Sequence, residues 1–169
     1  MKRFILILFS ALVMLSSCGK TQNVSFCDYQ KYPMTVDAKV TGEAGEAKVT
    51  MHIVSENDIC VSYTEPKILQ GVSYTKENDR TYMSFGDSQI DIESGELCLG
   101  SLSIAKFFCL DPTRFSSSPA RESDGMWKIE YSGDDVTCVV KYGENGPVEI
   151  SGTADGFSAT VNEIEIKYE

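Results

Sequence analysis

Six cysteines, one histidine and twenty-five carboxylates are the side chains of this 169-residue chain that could do chemistry. Triad-type nucleophilic catalysis needs a base beside the nucleophile, and His52 is the single histidine. It stands between Met51 and Ile53 on the polar phase of an alternating stretch, where a solvated strand residue is expected. Asp87, Asp91, Glu93 and Glu96 crowd one short region. They lack the glycine-centred spacing of a calcium loop and read as an acidic exposed edge. Asp134-Asp135 reads as a turn pair. There is no glycine-rich phosphate loop, and no carboxylate pair is singled out for glycoside chemistry. The expectation is no enzyme, no metal and no cofactor.

The cysteines are more informative. Cys18 follows Leu15-Ser16-Ser17 at the end of an apolar run, while Cys27, Cys60, Cys98, Cys109 and Cys138 are scattered. Five is an odd number, so at least one of these is free, ligated or paired to another molecule. No Cys-x-x-Cys occurs, which argues against a thioredoxin-like pair and a structural zinc site. Mostly free, buried thiols are expected, since Cys60 and Cys138 lie in apolar stretches where cysteine serves as a small hydrophobe.

Met1-Lys2-Arg3 is a short basic head, and Phe4 to Leu15 carries no charge. This is the n-region and h-region of a secretory signal. As a helix it spans about 18 Å against a hydrocarbon core of roughly 30 Å, too short for a permanent anchor. Leu15-Ser16-Ser17-Cys18 resembles the lipobox of bacterial lipoproteins, in which the cysteine sulfur receives a diacylglyceryl group and the chain is cut just before it. Two or more palmitate-like chains hold a protein stably to a membrane, where one holds it marginally. The resemblance implies a mature chain starting at Cys18, extracytoplasmic and anchored to a leaflet. Gly19 carries no inner-membrane retention aspartate, so an outer membrane is open to it if the host has one.

Composition narrows the partners. The formal charge of −10 becomes −12 once Lys2 and Arg3 leave with the signal, and an acidic surface is repelled by nucleic acid. Nucleic-acid binding is therefore not expected. Residues 1–17 are read as signal, 18–32 as lipidated cysteine and tether, and 33–169 as one domain.

Beyond Pro33 the hydrophobic period is two almost throughout. Met34, Val36, Ala38 and Val40 alternate with polar residues, and Val49, Met51 and Ile53 resume after "GEAGEA". Ile59, Val61 and Tyr63 continue the pattern. Trp127, Ile129 and Tyr131, then Val136, Cys138, Val140 and Tyr142, form a later hairpin. Asn145-Gly146 signals a tight turn, and a one-residue slip at Asn162-Glu163 predicts a β-bulge. Leu97 to Leu110, "LCLGSLSIAKFFCL", breaks the rule: it is apolar nearly all round and predicts a covered helix, running from Leu97 or only from about Ser101. If it is helical throughout, Cys98 and Cys109 stand about 16 Å apart and cannot bond. Asp111 to Gly125 reads as a loop. The fold class is mainly β with one or two helices (α+β): a curved antiparallel meander of eight to ten strands, a half-barrel with the helix on its concave face.

Glu65-Pro66-x-x-Leu69-x-Gly71, the hairpin after it, the buried helix and the late Gly146-Pro147-x-x-Ile150 resemble the lipoprotein-carrier superfamily of LolA, LolB and LppX-like proteins. That resemblance implies an open half-barrel around lidding helices, with a cavity for acyl chains or other apolar ligands. Leu102, Phe107, Phe108 and Leu110 are the expected lining. The tethered acceptor of that family carries a greasy residue at a protruding loop tip. Here "GEAGEA", "TKEND" and "GENG" have polar tips, so insertion of lipoproteins into a membrane is not expected. The alternative to a ligand carrier is a cell-surface interaction module that meets an envelope protein through strand edges and through Tyr29, Tyr32 and Tyr74.

Overall fold

The computed structural model describes residues 26, 28–92, 99–116 and 118–169. They form a single open antiparallel sheet of eleven strands. In chain order these are β1 (Met34–Gly42), β2 (Gly45–Ser55), β3 (Asp58–Glu65), β4 (Val72–Glu77), β5 (Arg80–Phe85), β6 (Ser88–Asp91), β7 (Ala120–Arg121), β8 (Trp127–Ser132), β9 (Val136–Gly143), β10 (Gly146–Ala154) and β11 (Phe157–Tyr168). The count exceeds the expected range because β6 and β7 have only four and two residues, all exposed. Strands so short and polar leave no alternation to read.

Spatial order is β6-β5-β4-β3-β2-β1-β11-β10-β9-β8-β7. Two meanders meet at β1 and β11, and the chain crosses from one outer edge, β6, to the other, β7. The crossing segment holds α1 (Leu99–Ala105) and 3₁₀ turns at Lys106–Phe108 and Pro112–Arg114. Helix α1 lies against β3, β4, β10 and β11. β4 and β10 are five strand spacings apart, about 24 Å along the sheet, while a helix is about 10–12 Å wide. The sheet must therefore curl around the crossing segment.

Alternation sorts the faces. Val36, Met51, Val61, Val140, Ile150 and Val161 are fully buried on the inner face. Thr35, Asp37, Lys39, Thr50 and His52 occupy the outer phase, tied by ion pairs such as Lys167–Asp37 (2.8 Å) and Lys39–Glu46 (2.9 Å). The expected bulge is present: Asp37 pairs with Glu165 but Lys39 with Asn162, and Glu163 takes a φ of 51°. The extra residue lets Ile166, opposite Val36, stay on the same face as Val161, opposite Val40. At Asn145-Gly146 the turn differs from expectation. Gly143 pairs with Gly146, so Glu144 and Asn145 make the loop and Gly146, at φ 131°, opens β10.

The predicted helix is shorter than expected, because α-geometry stops at Ala105. Phe107 and Phe108, both 0% exposed, follow in the 3₁₀ turn, closed by Cys109 N–H donating to the Lys106 carbonyl (3.0 Å). The tether reading also changes at its inner end. Tyr29, expected exposed, is 5% exposed and part of the core. Its hydroxyl donates to the Phe107 carbonyl (3.3 Å), and that of Tyr32 to the Phe108 carbonyl (3.1 Å). The Gln30 amide, oriented to suit its neighbours, donates to the Leu110 carbonyl (2.9 Å) and accepts from the Leu110 N–H (3.1 Å). Carbonyls left over at a helix end need partners, and residues 29–32 supply them. We call this segment the strap.

Candidate functional site

The inner face does not stop where its cover stops. Register carries it outward from β3: Val61 pairs with Tyr74, Tyr74 with Met83 and Val72 with Phe85, and Met83 with Ile90. Directly paired residues project on one side, so Val72, Tyr74, Met83, Phe85 and Ile90 continue the face of the core. Yet Val72, Tyr74 and Met83 are half-buried, while Phe85 is 61% and Ile90 56% exposed. Tyr63 marks the border. Its hydroxyl bonds Ser101 of α1 (2.7 Å) and its ring meets that of Tyr74 edge-on at 6.4 Å. Strands β4, β5 and β6 thus carry the apolar face outward as a wing whose first strand still touches the helix and whose Phe85 and Ile90 are open to solvent among the described residues.

The helix is held on its other side by charge. Lys106 bonds Asp155 of the β10–β11 turn (2.5 Å) and Asp135 of the β8–β9 turn (3.4 Å). Ser103, 2% exposed, donates to the second oxygen of Asp155 (2.6 Å). Burial pulls the Lys106 ammonium down, but its bonds to Asp155 and the field of both carboxylates outweigh this and hold it above its ordinary value. Ser101 and Ser103 thus fasten the helix to Tyr63 on one side and Asp155 on the other.

Of the expected ligand-lining residues, Leu102 is half-buried and packs against the core, whereas Phe107, Phe108 and Leu110 are buried within it. A ligand would meet those three only with the crossing segment displaced. The wing residues Met83, Phe85 and Ile90 were not singled out in the sequence, although the alternation of Met83 and Phe85 carried the signal. An open depression of about 410 Å³ lies elsewhere, lined by Thr41, Gly42, Thr153, Ser158 and Thr160 among others.

The β3–β4 loop brings a correction. The turns noted for polar tips omitted Pro66–Gly71, and Ile68 in that loop is 85% exposed. The loop adjoins the wing, since a side chain begun at Gly71 would lie 3.9 Å from the Phe85 ring. The sequence showed "PKILQG", but of its apolar residues only Leu69 entered the reading, as part of Glu65-Pro66-x-x-Leu69-x-Gly71.

The remaining chemistry-bearing residues take structural places. Cys18, like Cys27 and Cys98, lies outside the described residues, so the lipid anchor and the Cys98 geometry are untouched by the structure. Cys60, Cys109 and Cys138 are free thiols. Burial pushes Cys109 up to about 11, and Cys138 up to about 12. His52 Nδ1 sits 3.2 Å from the Thr35 hydroxyl on the outer face. Asp87 and Asp91 are exposed, and Glu93 and Glu96 lie outside the described residues. Asp134 pairs with Arg114 (2.8 Å). No cluster of potential metal ligands occurs among the described residues.

No protein-family model and no curated protein matches the chain. Solved structures do. The chain is similar to an uncharacterized conserved protein from Thermus thermophilus, at 12% identity over 95% of this chain and 88% of that one, with a TM-score of 0.47. It is similar to a LolA superfamily protein from Nitrosomonas europaea, at 10% identity over 85% and 90% of the two chains, TM-score 0.42. A putative outer membrane lipoprotein-sorting protein domain from Vibrio parahaemolyticus gives 8% identity over 80% and 84%, TM-score 0.42.

Proposed function

We propose that this protein is an extracytoplasmic lipoprotein, anchored through Cys18, that holds an acyl chain or another apolar ligand on the concave face of its sheet without performing a reaction on it. One observation carries the reading: the apolar inner face runs on past its helical cover through the half-buried Met83 to Phe85 and Ile90, which are exposed among the described residues. Large apolar side chains gathered on one exposed surface mark a binding site. The lipobox-like Leu15-Ser16-Ser17-Cys18 supplies the anchor, and Ile68 supplies the greasy loop tip that the resemblance to tethered lipid carriers calls for.

The test is saturable uptake of a fluorescent fatty acid by the delipidated protein, with Met83→Ser and Phe85→Ser weakening it several-fold at unchanged melting temperature. Ile90 lies on an edge strand, which suits docking of another protein equally. A delipidated protein that binds no acyl probe, and yields no lipid by mass spectrometry of its organic extract, is the interaction module instead. Replacing Cys18 by Ser is expected to leave an unprocessed precursor that takes up no labelled palmitate. Normal labelling of that variant removes the anchor.

A further inference from the structure

The wing carries one cation on its apolar face, and it stands at one end. Buried Ile59 pairs with Lys76, and Lys76 with Thr81. Lys76 therefore projects on the core side, in the row next to Tyr74, Met83 and Ile90. Arg80, the other cation of these strands, pairs with Glu77 and falls in the opposite phase.

The Lys76 ammonium donates to the side-chain oxygen of Asn57 (3.1 Å), a neutral partner. Lys39, Lys106 and Lys141, half-buried like it, each meet a carboxylate, at 2.9, 2.5 and 2.9 Å. Acids do stand near Lys76 in sequence. Asp58 and Glu77 pair with each other, and alternation sends them to the outer face; Glu56 is exposed in the β2–β3 turn. Burial pushes the Cys109 thiol up to about 11, and the field of Lys76 is among the smaller effects opposing it. The ammonium thus lies near the point where the crossing segment meets the wing.

From Thr81, beside Lys76, β5 runs four residues on to Phe85, about 14 Å. Tyr74, Met83 and Ile90 fill the space between. An acyl chain in a bilayer spans half of a hydrocarbon core of roughly 30 Å, about 15 Å. At the Phe85 end the β5–β6 turn carries Asp87, while Asp91 pairs with Tyr82 in the outer phase. The strip therefore has an ammonium at one end, a carboxylate at the other and an apolar middle of about one acyl chain's length.

We propose that the wing selects a free fatty acid, its carboxylate on Lys76 and its chain laid over Tyr74 and Met83 toward Phe85 and Ile90. The inference rests on the apolar-ligand reading above and adds a head-group preference to it. An ammonium bonds a carboxylate more strongly than a neutral amide, so Asn57 yields to the ligand, and Asp87 disfavours the reversed orientation.

The delipidated full chain is titrated with hexadecanoate, hexadecanol and hexadecylammonium near neutral pH, each displacing a neutral apolar dye. Hexadecanoate is expected to bind about tenfold tighter than hexadecanol, with hexadecylammonium the weakest. Lys76→Met keeps the apolar stem and removes the charge. It is expected to bring hexadecanoate down to the level of hexadecanol and leave hexadecanol itself unchanged, whereas Lys76→Arg retains the preference. Equal binding of hexadecanoate and hexadecanol by the parent overturns the head-group assignment. So does a preference that survives Lys76→Met, or equal loss of both ligands in that variant at unchanged melting temperature. In each of those cases hexadecanol binding by the parent still upholds the apolar-ligand reading. Failure of all three ligands to bind overturns both.

Discussion

The hydroxyl of Tyr32 donates to the carbonyl of Phe108 at 3.1 Å, across seventy-six residues of sequence. Tyr29 does the same for Phe107, and its own carbonyl accepts from Tyr168 at 3.0 Å. The strap therefore joins the C-terminal strand to the end of the crossing segment. Tyr29→Phe deletes one such bond and leaves a buried carbonyl short of a partner, which costs about 1–3 kcal/mol. Tyr29→Ala also opens a cavity between Phe108 and Tyr142, whose rings approach Tyr29 at 6.4 and 5.9 Å, and costs about 3–5 kcal/mol. Denaturant unfolding checks both. An alanine variant within about 0.5 kcal/mol of the parent would show that the strap is not part of the fold.

Stability has an acid arm and an alkaline arm. Hydrogen bonds from Lys167 and then Thr50 hold the Asp37 carboxyl below its ordinary value, against a smaller effect of burial. A depressed carboxylate stabilises above its unfolded value of about 3.9 and loses that contribution as pH falls. Lys106 is held above its ordinary value, so its contribution is complete below about 10.4 and is lost as pH rises further. Burial keeps Cys109, Cys138 and Tyr32 protonated, and they act in the alkaline direction too. Melting temperature against pH is expected to show a plateau with two falling flanks. Asp37→Asn flattens the acid flank, and Lys106→Met makes the alkaline flank shallower without removing it. Parallel curves for the parent and Asp37→Asn would contradict the assignment.

The thiols give a chemical readout of the same burial. With Cys138 pushed up to about 12 and Cys109 up to about 11, their thiolate fraction at pH 8 is at least a hundredfold below that of an ordinary cysteine near 8.5. An aromatic disulfide reagent should modify them slowly in the native protein and at once in denaturant. Mass mapping that finds Cys138 labelled as fast as Cys60 would place it outside the core.

Gly152 is expected to tolerate no side chain. A Cβ there would run into the Thr137 carbonyl oxygen and come within 2.5 Å of the Cys138 Cα, backbone atoms that cannot step aside. Gly152→Ala must therefore push β9 from β10, at a cost of about 2 kcal/mol or more. Gly45→Ala, with nothing within 4 Å of its Cβ but a φ of 117°, separates the two ways a glycine is required, by strain without a clash. Equal melting temperatures for Gly152→Ala and the parent would refute the close approach.

What the sequence disclosed follows from what a linear pattern can encode. Alternation in Met34 to Val40 and Val136 to Tyr142 names the inner face, because side chains of a strand project with period two. The slip at Glu163 is legible for the same reason. Strand order is not, since nothing local tells β1 that its neighbour is β11. The strap was missed because Tyr29, Gln30 and Tyr32 stand among polar residues, and only the free carbonyls at Phe107 and Phe108 give their hydroxyls a task. At the candidate site, the apolar character of Phe107 and Phe108 was legible but their burial was not: they fill the core with Leu110, while the equally apolar Phe85 and Ile90 stay exposed. Ile68 escaped notice because exposure belongs to a loop's shape.

The pairing of β1 with β11 also imposes an order of assembly. Each meander can form hairpin by hairpin from close neighbours, but Met34 meets Tyr168 only after nearly the whole chain is present. In a chain emerging N-terminus first, β1 waits with an unpaired edge bearing Met34, Val36 and Val40, and such edges invite foreign strands. Contacts between residues so distant in sequence also form slowly. The sheet therefore cannot close until the chain is nearly complete, and its most vulnerable interval falls between the release of β1 and the arrival of β11, when one specific edge stands open to foreign strands.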